Sequence, residues 1–130
     1  MRMIFVNLPV KDLAASMRFF TELGFDFNPE FSDDSAACMV VDQNIYVMLL
    51  VEDRFHDFIN GEIGDPATTE VITCLTADSR EHVDETVSRA LAAGGKPWKP
   101  TMSDGPMYGG SFQDPDGHVW ELMHMDLGAA

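Results

Sequence analysis

The chain has 130 residues, 45% of them hydrophobic, and a formal net charge of -14 at pH 7. That length suits a single domain with a real core, and the acidic balance argues against nucleic acid and anionic membrane surfaces, which both need basic patches. No apolar run approaches a membrane span, and Arg2 followed by a strand-like segment does not make a signal peptide, so the reading is a cytoplasmic protein.

In chain order, Met3 to Leu8 alternates and is rich in strand formers, with Pro9 expected to end the strand. Asp12 is placed to cap a helix from Leu13 to Leu23, with Leu13, Met17, Phe20 and Leu23 as its apolar stripe and Gly24 as its stop. Phe25 to Phe31 and Ala36 to Val41 read as strands. Gln43-Asn44 reads as a hairpin turn into a strand from Ile45 to Val51. Asp53 to Ile59 suits a short helix, and residues 60–66 carry the Gly and Pro chemistry of a linker.

The second half repeats the plan. Val71 to Thr76 is a strand, and Asp78 with Glu81 has the spacing of a capping box. The helix it opens carries Val83, Val87, Ala90 and Leu91 on one face, and Gly94-Gly95 stops it. Lys96 to Met102 and Met107 to Phe112 follow as strands, with Gly109-Gly110 marking a bulge or a close approach. The turn Asp114-Pro115-Asp116-Gly117 leads into a last strand, Val119 to Met123. In that strand Glu121 stands out, because a carboxylate among apolar residues costs free energy to bury unless something pairs with it. The two expected helix caps, Asp12 and Asp78, lie 66 residues apart, close to half the chain. Each half therefore runs strand, helix, strand, strand, strand, and such a repeat governs the fold. The expectation is one domain built from a module over residues 1–60 and a module over residues 67–127.

The sequence Asn7-Leu8-Pro9-Val10-Lys11-Asp12-Leu13-Ala14-Ala15-Ser16, with Phe19-Phe20 and Leu23-Gly24-Phe25, resembles the vicinal oxygen chelate superfamily. Phe112 to Gly117 followed by Glu121-Leu122 carries the same likeness at the other end. That superfamily includes glyoxalase I, bleomycin-resistance proteins and extradiol dioxygenases. The resemblance implies an α+β fold of two βαβββ modules forming a curved mixed sheet, a ligand held in a cup, and a homodimer. Metal-dependent members hold a divalent ion with four His or Glu ligands from the first and last strands of each module. Carried over by position, those sites fall on Phe5, on Val71 (or Ile72 if the strand slips by one residue), on Met48 and on Glu121. Only Glu121 keeps a ligating side chain, so no metal or other cofactor is expected.

Strand alternation puts Phe5 with Asn7, Tyr46 with Met48, and Val71 with Thr73, each pair on one face. These residues and Glu121 are the candidate ligand-binding set. Nine Met among the 130 residues also suit an adaptable interior, although Met is also ordinary core filler. Glu121 is the candidate catalytic residue. It is equally readable as a carboxylate satisfied by its neighbours. Cys38 and Cys74 read as buried structural thiols. His56, His82, His118 and His124 form no ligand pattern, and His82 and His118 read as surface residues. The preferred expectation is a bleomycin-resistance-like protein that binds a small, partly apolar molecule. The rivals are a lactoylglutathione-lyase-like lyase, isomerase or dioxygenase-type enzyme using Glu121 as base or residual metal ligand, and a dimer with no small ligand.

Overall fold

The computed structural model describes residues 1–126; Leu127, the expected end of the second module, lies outside the described residues. The chain divides into two compact units at Asp65/Pro66. In the first, β1 (Ile4–Val10), α1 (Leu13–Glu22), β2 (Asp26–Asn28), β3 (Ala36–Asp42), β4 (Ile45–Val51) and α2 (Glu52–His56) follow in order. The strands form a sheet in the order β1-β4-β3-β2, with β1 parallel to β4 and the other pairs antiparallel. The second contains β5 (Ile72–Thr76), α3 (Arg80–Ala92), β6 (Lys96–Pro97), β7 (Met102–Asp104), β8 (Met107–Gln113) and β9 (Val119–Met125). Its sheet runs β5-β9-β8-β6, with β5 parallel to β9 and β7 also paired to β8. The architecture is α+β, two mixed sheets with few helices.

Each unit buries its core between one helix and one sheet. In the first, α1 packs against β3 and β4, and Phe19, Phe20, Met39, Val47 and Leu49 are buried. Phe20 meets Phe19 and Phe25 edge-on, at ring separations of 5.0 and 6.2 Å. In the second, α3 packs against β8 and β9, over Phe112, Trp120 and Leu122. Gly110 is the point of closest approach. A Cβ there would lie 2.9 Å from Val87 Cγ2 and 3.1 Å from Val83 Cγ1. The doublet Gly109-Gly110 therefore marks a helix lying directly on a strand.

Several boundaries depart from the sequence expectation, and proline accounts for three of them. β1 runs through Pro9 to Val10, because β1 is the end strand of its sheet and a missing N–H there breaks no ladder. The expected strand from Phe25 to Phe31 stops at Asn28, whose side chain accepts the Glu30 N–H at 2.9 Å and caps a 3-10 turn over Pro29–Phe31. The expected strand from Lys96 to Met102 splits into β6 and β7, with Pro97 and Pro100 both lacking a donor. Buried Ser111 bridges the gap, its hydroxyl accepting the Lys99 N–H at 3.1 Å and facing the Lys99 carbonyl at 3.4 Å.

The helix caps differ in a way that matters for the site. Asp12 accepts the Ala15 N–H at 3.0 Å, as its position requires. In the second unit the cap is Ser79, which accepts the His82 N–H at 3.0 Å, and the His82 ring in turn accepts the Asp78 N–H at 3.3 Å. The expected Asp78–Glu81 box is thus replaced by a Ser79–His82 pair one residue later, and His82 is a capping residue.

Candidate functional site

In each unit one long helix, α1 or α3, covers one face of the sheet, and in the first unit the short α2 also touches β1 and β4. Register assigns residues to these faces, because directly opposed residues point to the same side. In the first unit Phe5 is opposite Tyr46, Asn7 opposite Met48, and Met48 opposite Cys38. Phe5, Asn7, Tyr46 and Met48 therefore share a face with buried Cys38, on the other side of the sheet from Val47 and Leu49. The Phe5 and Tyr46 rings stack at 4.8 Å with an interplanar angle of 13°. The Tyr46 hydroxyl donates to the Gln43 carbonyl at 2.8 Å, which ties the stack to the hairpin turn. Phe5 stays 47% exposed, and the Asn7 amide donates to the Phe5 carbonyl at 3.2 Å.

In the second unit the one-residue shift of the cap moves the site. Thr73 stands opposite Trp120, on the side that α3 covers, and Val71 precedes β5. Cys74 is the residue opposite Glu121, and Ser111 faces Glu121 from the other side. The helix-free face is therefore built on Ile72 and Cys74, where the 66-residue offset had put Val71 and Thr73. Counting from the true caps, Asp12 and Ser79, aligns Phe5 with Ile72 and Asn7 with Cys74. The alternation itself carried a signal for this. Thr73 and Leu75 share parity with buried Ala77, so Cys74 belongs on the other face.

Cys74 is exposed, unlike buried Cys38, and neither forms a disulfide. Partial burial raises the Cys74 thiol, and the charge of Glu121 and a hydrogen bond to it push in the same direction. The thiol stays protonated at neutral pH, opposite the half-buried carboxylate in the sheet. Among the described residues no three His, Cys, Asp or Glu side chains come together as a metal site.

The turn before β9 holds its strand from beneath. Asp114 is 1% exposed. Its carboxylate accepts the Asp116 N–H at 2.9 Å, the His118 N–H at 3.0 Å and the Trp120 indole N–H at 3.0 Å. The Gly117 N–H closes the turn on the Asp114 carbonyl at 3.0 Å, with Gly117 at φ +85°. Burial raises the Asp114 carboxyl, while the charge of His118 and these hydrogen bonds pull it down. By anchoring Trp120 on the helix side, Asp114 sets the parity that leaves Glu121 on the free side. His124, of the same parity as Trp120, places its ring Nδ1 3.0 Å from the Ala77 carbonyl, and His56 lies on exposed α2.

Comparison with known proteins places this architecture. The model of the Glyoxalase/Bleomycin resistance protein/Dioxygenase superfamily matches residues 2–122, and the chain belongs to that superfamily. Among solved structures, the hypothetical protein SA1046 from S. aureus is 25% identical, with a TM-score of 0.82 over 95% of this chain and 94% of that one. A glyoxalase/bleomycin resistance protein/dioxygenase family enzyme from Burkholderia phytofirmans is 17% identical, with a TM-score of 0.79 over 96% and 99%. The fosfomycin resistance protein FosX from Listeria monocytogenes is 22% identical, with a TM-score of 0.65 over 95% and 90%. No curated protein matches the chain. Among the described residues no helix is long and apolar enough to cross a membrane.

Proposed function

We propose that the protein binds a small, partly apolar molecule on the face of its second sheet that lies opposite α3, without a catalytic metal. The observation that carries this reading is the second unit's free face, where half-buried Glu121 stands between Cys74 and Ser111 with Ile72, Val119 and Met123 around it. Small-molecule sites are mostly apolar, with a few placed polar groups that fix orientation. In the second unit this reading rests on Cys74 and Glu121, and Phe5, Asn7, Tyr46 and Met48 occupy the corresponding face of the first unit's own sheet. Val71 and Thr73 are left out because of where they lie. Resistance to small drugs, in the name of the superfamily and of the Listeria relative, agrees with it.

The donor set does not fit the four-ligand metal site of metal-dependent relatives. Phe5 and Ile72 offer no donor, and Met48 offers only a weak thioether. One carboxylate and one protonated thiol leave a divalent ion mostly hydrated and easily lost. Protein purified without chelator should carry no stoichiometric divalent ion. A metabolite screen by thermal shift and native mass spectrometry should find a ligand whose binding survives chelation. A tightly held stoichiometric ion whose removal abolishes an activity would sink this reading.

The half-buried position of Glu121 opposite Cys74 also favours a second reading, a lyase or isomerase that uses Glu121 as base. Loss of turnover of an identified substrate in Glu121→Gln, with the fold intact, would replace binding by catalysis. The same proposal makes the protein a cytoplasmic homodimer. Light scattering at the 14.4 kDa of a single chain would count against the dimer.

A further inference from the structure

The helix-free face of the second unit has a composition that names a ligand class. Along β8, Met107, Gly109 and Ser111 share this face, and Met125, Met123 and Glu121 stand opposite them on β9. β7 adds Met102, opposite Gly109. Four of the nine methionines of the chain thus fall on one sheet face. Gly109 makes room for one of them, since a Cβ there would lie 3.0 Å from Met123 Cε. The Met123 side chain therefore lies across the glycine, in the row next to Glu121. Met102 and Met125 remain 46% and 44% exposed. Unbranched thioether side chains of this kind adapt to apolar shapes.

Glu121 stands within this apolar ground with few partners. The Ser111 hydroxyl is committed to the Lys99 backbone. Cys74 stands opposite Glu121 in the sheet, whereas a carboxylate has about four acceptor positions. The ion pairs Arg54–Asp57 and Arg89–Glu85 do not include Glu121. Lys96, the cation on a strand of this face, sits opposite Gln113 on β6, in the neighbouring row and two strands away. Asp104, opposite Met107 on β7, adds negative charge at the other end. The face therefore offers a central carboxylate acceptor with adaptable apolar flanks.

We infer that this face takes an amine with an apolar body, the ammonium group against Glu121 and the apolar part over Met123 and its neighbours. The inference rests on the ligand-binding reading above and narrows it to a charge class.

Three probes of similar size separate the outcomes: 2-phenylethylamine, 2-phenylethanol and 3-phenylpropanoate, titrated calorimetrically into the full chain at physiological salt. The amine should bind about tenfold or more tightly than the alcohol, as a charge-assisted hydrogen bond implies, and the acid should bind most weakly. Glu121→Gln should remove the advantage of the amine over the alcohol. Because a net charge of -14 attracts any amine, Glu22→Gln, an exposed position at the end of α1, serves as the control and should leave the advantage intact. Equal binding of amine and alcohol by the wild-type chain overturns the inference without recourse to any variant. So does an equal loss in Glu22→Gln and Glu121→Gln. In both cases binding of the alcohol leaves the broader reading standing. If no probe binds at millimolar concentration the inference is overturned, and the metabolite screen decides the broader reading separately.

Discussion

The turns that deliver the last strand of each unit occupy the same topological place and are built in opposite ways. The turn at Gln43-Asn44 uses local, exposed bonds: the Asp42 carboxylate accepts the Gln43 N–H at 2.7 Å, and Tyr46 reaches back to the Gln43 carbonyl. The turn at Asp114–Gly117 is tied into the core, because the buried Asp114 carboxylate also holds the indole of Trp120. A surface turn fixes only the reversal of the chain. A turn that shares a buried acceptor with the core also fixes which way the next strand faces, and in this protein that decides where Glu121 points.

The sharpest break of the comparison is Asp114→Ala. It leaves the Trp120 indole and two backbone N–H groups without their acceptor, and should cost about 3 kcal/mol or more. Asp42→Ala should leave the denaturation midpoint nearly unchanged. Equal effects in urea unfolding would contradict the distinction drawn between the two turns. Gly110→Ala tests the helix contact of the same unit. Its Cβ would press on Val83 and Val87, and overpacking of this kind costs about 1–3 kcal/mol. A wild-type melting temperature for this variant would mean that α3 can move away without loss.

The Asp114 carboxyl also gives a pH test. Its folded pKa is raised by burial, so its contribution to stability is fully present below the unfolded value, about 3.9, and is lost as pH rises through the folded value. Wild type should therefore gain stability relative to Asp114→Asn as pH is lowered from neutral toward 4. A gap that is flat or narrows on acidification would reverse the assignment.

Cys74 and Cys38 extend the comparison between units to reactivity. Removing the Glu121 charge lifts one of the influences that raise the Cys74 thiol. Glu121→Gln should then speed iodoacetamide labelling of Cys74 severalfold at mildly alkaline pH, with buried Cys38 staying slow. Unchanged labelling of Cys74 would mean that the two side chains are not coupled. The smallest expected effect belongs to Ser16, whose hydroxyl is buried without a hydrogen-bond partner among the described residues. Ser16→Ala should be neutral, or stabilising by up to about 1 kcal/mol. A clear loss of stability on thermal unfolding would show that the hydroxyl is satisfied in solution.

Much of this was legible from residues alone. The Asp12 cap, the helix stops at Gly24 and Gly94 and the turn at Gln43-Asn44 all follow from local chemistry. Boundaries at proline were harder, because the same residue is tolerated on the end strand β1 and disruptive after β2 and β6. Which of these holds depends on the neighbours of each strand in the sheet. The faces of β5 were hardest. Asp78 and Ser79 are both good cap residues, and choosing between them shifts the count by one, which in a strand exchanges the two faces completely. Thr73 and Cys74 traded places for that reason.

What the sequence determined by itself was the family, the repeated order of elements and the presence of one carboxylate in the last strand, since these rest on local patterns that survive any small error of register. Only the tertiary structure decided the surroundings of that carboxylate. The Ser79–His82 cap, the Asp114–Trp120 bond and the approach of α3 to Gly110 together set the register that brings Cys74 and Ser111 beside Glu121. Each of these joins residues through packing or pairing, and a difference of one residue in any of them would have presented a different side chain.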